Sequence, residues 1–169
     1  ACYYNYKFYY ILQTEVRKEM HVTTQLKWYL EQILSQQKRF NQNGKLLGFK
    51  EINLIETEAK NKSDKVAEAK MLNNAIPKSV TLVGLDEFGE QLTSIEFASF
   101  LKNMRDQNES DLGFVIGGAD GLTLEFKKSC RKLISFGQMV WPHMLARVML
   151  SEQLYRASTI LLNGPYHRG

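Results

Sequence analysis

The sequence predicts an α/β domain whose mostly parallel sheet is flanked by helices. Three observations carry that expectation. Strand-like and helix-like segments alternate along the chain, the order from which parallel sheets are built. Val80-Thr81-Leu82-Val83-Gly84-Leu85 and Gly113-Phe114-Val115-Ile116 are apolar runs without alternation, as strands covered on both faces require. The second run passes through Gly117-Gly118-Ala119-Asp120-Gly121 straight into a helix-like segment. At 169 residues and 44% hydrophobic, the chain fills one core, so residues 1–169 are expected to form a single domain, with 1–20 the part that fits the pattern least.

Taken in order, Phe8-Tyr9-Tyr10-Ile11-Leu12 is rich in β-formers and reads as the first strand. Thr23 or Thr24 caps a helix from Gln25 to about Phe40, with Leu26, Tyr29, Leu30, Ile33 and Leu34 on one face, and Asn43-Gly44 ends it. Glu51–Glu56 alternates and reads as a strand with one exposed face. Ser63 opens a charged helix to about Ala75, stopped by Pro77. After the strand Val80–Leu85, Asp86-Glu87-Phe88-Gly89 reads as a turn. Thr93-Ser94-Ile95-Glu96 is a capping box for a helix to about Asp106. Beyond Gly113–Ile116 come a helix from Leu122 to Arg131 and extended pieces at Leu133–Phe136 and Met139–Trp141, either side of Gly137. The last helix runs from about His143 to Leu162, with Leu145, Val148, Met149, Tyr155 and Ile160 expected in the core.

In parallel sheets ligands gather at the carboxyl ends of strands. Three segments leave strands there, residues 85–89, 117–121 and 136–141, and these are the candidate site loops. The glycine turn lets main-chain amides approach a ligand, but it is neither a dinucleotide fingerprint nor a phosphate-binding P-loop, and Asp120 alternatively caps the next helix.

Charge points to the other end. The net charge is +4, and all of it comes from residue 129 onward, where Arg131, Lys132, Arg147, Arg156 and Arg168 face a single acid, Glu152. Such mild basicity permits a phosphate-bearing partner without demanding one. His143 opens the last helix with Arg147 one turn on, and Glu152 and Arg156 are spaced for an intrahelical ion pair. Gly164-Pro165 stops the helix before Tyr166-His167-Arg168. That tail offers an aromatic ring for stacking, an imidazole for proton transfer and a permanent cation for anionic oxygens. No nucleophile elbow, zinc-protease helix or paired acids are visible, so hydrolase and metalloenzyme chemistry find no support and no metal is expected. Cys2 and Cys130 have no metal-ligand spacing and form no disulfide framework, and Cys130 reads as a small core residue. With neither a secretory leader nor a membrane-length apolar run, a cytoplasmic protein without a membrane partner is expected.

Ordered blocks across about residues 50–169 resemble one family. They are Leu85-Asp86-x-x-Gly89, Phe114-Val115-Ile116-Gly117-Gly118-x-x-Gly121-Leu122, Ser135-Phe136-x-x-Met139, Pro142-His143-x-x-x-Arg147, Glu152-Gln153-Leu154-Tyr155-Arg156-Ala157 and Pro165-Tyr166-His167. Together they are similar to the RlmH (YbeA) family of SPOUT methyltransferases, which modifies N3 of a pseudouridine in 23S ribosomal RNA. One departure is Leu12-Gln13-Thr14, where the family has a glycine-containing turn. The resemblance implies a SPOUT fold with a C-terminal deep trefoil knot, a homodimer, and ribosomal RNA within the ribosome as partner. It implies S-adenosyl-L-methionine as cofactor, bound at Leu85, Gly117, Phe136, Gly137, Gln138, Met139, Val140 and Trp141. It places Tyr166, His167 and Arg168 in catalysis and His143, Arg147 and Arg156 on the RNA side. Alternatives are a SPOUT methyltransferase of another RNA such as tRNA, or a ribosome-binding protein without activity.

Overall fold

The computed structural model describes residues 6–13, 24–47, 49–57, 65–107, 111–117 and 121–168. Its elements are β1 (Tyr6–Gln13), α1 (Thr24–Leu47), β2 (Phe49–Thr57), α2 (Lys65–Ala75), β3 (Val80–Gln91), α3 (Ser94–Asp106), β4 (Asp111–Ile116), α4 (Leu124–Ser129), β5 (Lys132–Ser135) and α5 (His143–Leu161). The strands form one sheet in the order β2-β1-β4-β3-β5, with every pair parallel. Register aligns the strand ends: Ile116 lies opposite both Leu12 and Leu85, and Leu85 lies opposite Ile134. The exits of β3, β4 and β5 therefore open at one edge.

Alternation along β4 explains the two-sided core. Phe114 packs with Phe40, Val83, Phe97, Leu101, Leu150 and Leu154 on the face covered by α1, α3 and α5. Its neighbour Val115 points the other way, into a smaller cluster with Leu72 of α2 and Phe126 of α4. Helix α3 starts where the sequence places it. Thr93 accepts from Glu96 N while Glu96 Oε2 accepts from Thr93 N at 2.7 Å, so two orphan amides are satisfied reciprocally.

Several expectations are corrected. Helix α1 does not end at Asn43-Gly44 but continues to Leu47. Asn43 Nδ2 donates to Ser158 Oγ at 3.0 Å, and Gly44 is buried, so both residues serve the α1–α5 packing instead of breaking the helix. Leu34, expected on the inner face of α1, is exposed, whereas Ile33 and Phe40 are buried. Asp86–Gly89 is not a turn. β3 runs through it, and the extra length is absorbed as a register shift against β5 between Leu85 and Glu90. Helix α4 is shorter than Leu122–Arg131 because Thr123 caps its start and Cys130 is already extended. Met139–Trp141 forms no strand.

Helix α5 carries Glu152, Gln153 and Arg156 between apolar residues that lie on more than one face. Tyr155 and Ile160 pack against the core that Ala146, Leu150, Leu154 and Ala157 fill, as expected, whereas Leu145, Val148 and Met149 are only partly buried. A helix with a second apolar face calls for cover on that face as well. The expected helix start at Ser63, the Thr23 cap and the Gly118-Ala119-Asp120 part of the glycine turn lie outside the described residues.

Candidate functional site

Where β4 and β5 end beside the middle of β3, a cavity of about 270 Å³ opens. Leu85, Gly117, Phe136, Gly137, Met139, Val140 and Trp141 line it, so the structure brings these seven residues together from three separate segments. Gln138 is exposed and does not line it. Asp86, Glu87, Gly121 and Lys127 also line it, with Ile116, Ile134 and Ala146. The sequence reading included Asp86 and Gly121 in its blocks without assigning either a role. Lys127 carries no motif signal, because its place at the cavity depends on α4 meeting Asp86 of β3.

Two local devices shape the cavity. A Cβ on Gly117 would stand 2.7 Å from the backbone carbon of Gly121, so only glycine lets the turn close this tightly. Gly137 has φ +111°, a left-handed conformation that an L side chain resists. The loop around it is held by buried Ser135, whose Oγ accepts from Gly137 N at 3.0 Å. The same oxygen lies 3.1 Å from Glu87 O and 2.9 Å from Gly137 O, carbonyls that compete for its one proton. Strand β3 and the loop after β5 are thereby stitched together.

A nucleoside-bearing cofactor fits these walls. Apolar side chains suit a purine, the missing Cβ of Gly117 leaves main chain accessible, and Trp141 offers an indole Nε1 that is buried without a partner among the described residues.

The tail forms a second cluster. Helix α5 ends in a Schellman cap with Asn163, at φ 55°, in the left-handed position usually held by glycine. Asn163 N donates to Ile160 O at 3.0 Å and Gly164 N to Thr159 O at 2.7 Å. The chain then turns back along α5. The Tyr166 ring lies 4.6 Å from that of Tyr155, and the Arg156 guanidinium sits 4.8 Å above it. Tyr166 Oη donates to Glu152 Oε1 at 3.1 Å, and that oxygen also accepts from Arg156 Nε at 2.9 Å. Hydrogen bonding from Glu152 raises the Arg156 pKa above its ordinary value. Burial, then the charge of Glu152, raises that of the Tyr166 phenol.

His167 joins this group, with Nδ1 facing Arg156 Nη1 at 3.5 Å and Nε2 buried without a partner among the described residues. Arg168 is exposed. Tyr166 and His167 thus share one patch with Arg156, and the expected Glu152–Arg156 ion pair is its centre. Arg147 does not belong to it. Only 3% exposed, its guanidinium lies 3.3 Å from Met144 Sδ, a placement at odds with an RNA-facing surface. The side chain of His143 lies outside the described residues.

The two clusters meet at one loop. Phe136 and Gly137 line the cavity on one side and, on the other, a groove of about 490 Å³ that reaches Glu152, Val148 and Met149.

A cavity at the strand ends of a parallel sheet defines an α/β protein of the ligand-binding class, and the sequence matches the family described as "Predicted SPOUT methyltransferase" over residues 18–167. A protein of Dinoroseobacter shibae named ribosomal RNA large subunit methyltransferase H is 48% identical over 130 residues, covering 77% of this chain and 83% of that protein. Its namesake in Paracoccus denitrificans is 52% identical over 125 residues, covering 74% and 80%. The chain belongs to the ribosomal RNA large subunit methyltransferase H family, within the SPOUT methyltransferases. Among solved structures, a probable methylase family protein of Haemophilus influenzae aligns with a TM-score of 0.48 and 11% identity, covering 97% of this chain and 70% of that one.

Proposed function

We propose that this protein is a cytoplasmic, S-adenosyl-L-methionine-dependent methyltransferase acting on N3 of a pseudouridine in large-subunit ribosomal RNA, on the assembled ribosome. The observation that carries this reading is the convergence of Leu85, Gly117, Phe136, Gly137 and Met139–Trp141 on one cavity at the strand ends, in a chain of this family. When bound, the cofactor supplies an electrophilic methyl group on its sulfonium. The chain's own residues handle the base.

N3 of a uracil ring carries a proton that must leave for methylation, and His167 is the base in this reading. The guanidinium facing it has only donors, so the ring lone pair sits on Nδ1, and taking the N3 proton there means exchanging Arg156 for substrate. Tyr166 orients the ring, and exposed Arg168 stabilises charge on the uracil oxygens. Arg156 lies beside Tyr166 and His167, on the RNA side.

The knot and the homodimer belong to the same reading. Partly buried Leu145, Val148 and Met149 give α5 an apolar face for a second copy, and the unpartnered His167 Nε2 is the kind of atom that a partner or substrate satisfies. The test is methylation with labelled cofactor of isolated ribosomal RNA, large subunits and whole ribosomes, with the label mapped by mass. Label on a large-subunit pseudouridine, strongest in the assembled particle, is expected. Label on a tRNA pool offered in parallel, or none on any substrate, overturns it. Removing residues 166–169 is expected to abolish methylation while the fold and cofactor binding persist.

A further inference from the structure

The charged residues that line the cavity are Asp86, Glu87 and Lys127. Two of them form a pair: Lys127 Nζ lies 2.5 Å from Asp86 Oδ2, with side chains 22% and 8% exposed. Asp86 is fixed further by Phe88 N, which donates to Oδ1 at 3.1 Å. A pair this far out of water is a weak source of stability, because desolvation of both ions offsets much of their attraction. Its position on a largely apolar ligand wall calls for another explanation.

We propose that Asp86 and Lys127 read the amino-acid end of the cofactor, Lys127 receiving the α-carboxylate and Asp86 the α-ammonium. A fixed positive and a fixed negative charge side by side are the complement of a zwitterion, whose own two charges pair with them in reverse order. The wall has capacity for this. An ammonium carries three donors, of which Asp86 occupies one, and a carboxylate offers about four acceptor sites, of which Lys127 and Phe88 take two. The ligand therefore adds to the pair without breaking it, and low polarity strengthens each added contact. The inference rests on the cofactor reading of this cavity and adds which end of the cofactor this wall recognises.

Calorimetry with two probes that carry an uncharged thioether tests it: S-adenosylhomocysteine, which lacks the methyl and keeps the amino-acid end, and 5′-methylthioadenosine, which keeps the methyl and lacks the amino-acid end. The wild-type protein is expected to prefer the first by at least about tenfold. Lys127→Met and Asp86→Asn are each expected to weaken the first by about tenfold and the second by less than about twofold, while Lys127→Arg stays near wild type. Equal losses on both probes would mean that the pair only braces the loop, and that overturns the proposal. No loss on either probe overturns it too, as do equal wild-type affinities, which need no variant to fold. If wild type binds neither probe, the cofactor reading itself has failed.

Discussion

Glu152 Oε1 accepts from both Tyr166 Oη and Arg156 Nε, so one carboxylate oxygen ties the tail to the helix it folds back on. Glu152→Gln keeps the shape and removes the charge. Charge-assisted hydrogen bonds are roughly twice as strong as neutral ones, so release of the tail is expected to become about tenfold more frequent. Hydrogen exchange of the amides at 166–168 reads this directly, and unchanged protection would sink the idea.

The same contacts make tail docking pH-dependent. The Tyr166 phenol is raised above its ordinary value of 10.0, by burial first and then by Glu152. The docked state therefore holds its proton where the released state has lost it. The phenol's contribution to docking is fully present below pH 10.0 and is lost as pH rises through the docked value. Following phenolate absorbance against tail protection from pH 8 to 11 checks the sign. Docking that strengthens with pH would contradict it.

Gly117→Ala and Gly137→Ala are expected to fail for different reasons. At 117 the new Cβ meets backbone at 2.7 Å, so the turn itself must move and the cofactor cavity with it. At 137 nothing lies within 4 Å, and the cost is backbone strain alone, about 1–3 kcal/mol. Thermal unfolding beside cofactor titration separates them. Gly137→Ala lowers the midpoint, whereas Gly117→Ala also weakens binding.

Cys130 is expected to be a slow thiol. Burial pushes its pKa up to about 11, which cuts the thiolate present at pH 8 by about 100-fold against an ordinary cysteine. In a Cys2→Ser background, alkylation of the folded protein is expected to lag that of the unfolded protein by at least this factor. Equal rates would refute the burial argument.

Much of the fold is legible in the sequence because its signals are local. The Val80–Leu85 and Gly113–Ile116 runs and the Thr93–Glu96 capping box each depend on residues within one element. What is not legible depends on a distant partner. Asn43-Gly44 reads as a breaker until Ser158 arrives beside it, and Asp86–Gly89 reads as a turn until β5 pairs with the strand beyond. The same holds for the site. Leu85, Gly117, Phe136 and Met139 of the cavity fall in motif blocks, but burial of Arg147 and the meeting of Asp86 with Lys127 follow from packing between elements that no spacing announces.

The way α5 is anchored at both its partners also bears on how the molecule ages. Asn-Gly is the dipeptide most prone to deamidation, because the glycine amide can attack the asparagine side chain to form a succinimide. The chain has two such pairs, Asn43-Gly44 and Asn163-Gly164. Both are restrained against α5: Asn43 gives its side-chain amide to Ser158, and Gly164 gives its backbone amide to Thr159. Chemical wear at these two points is therefore gated by folding, and a preparation that loosens α5 will acquire new negative charge at the seam between α1 and α5 and at the root of the tail.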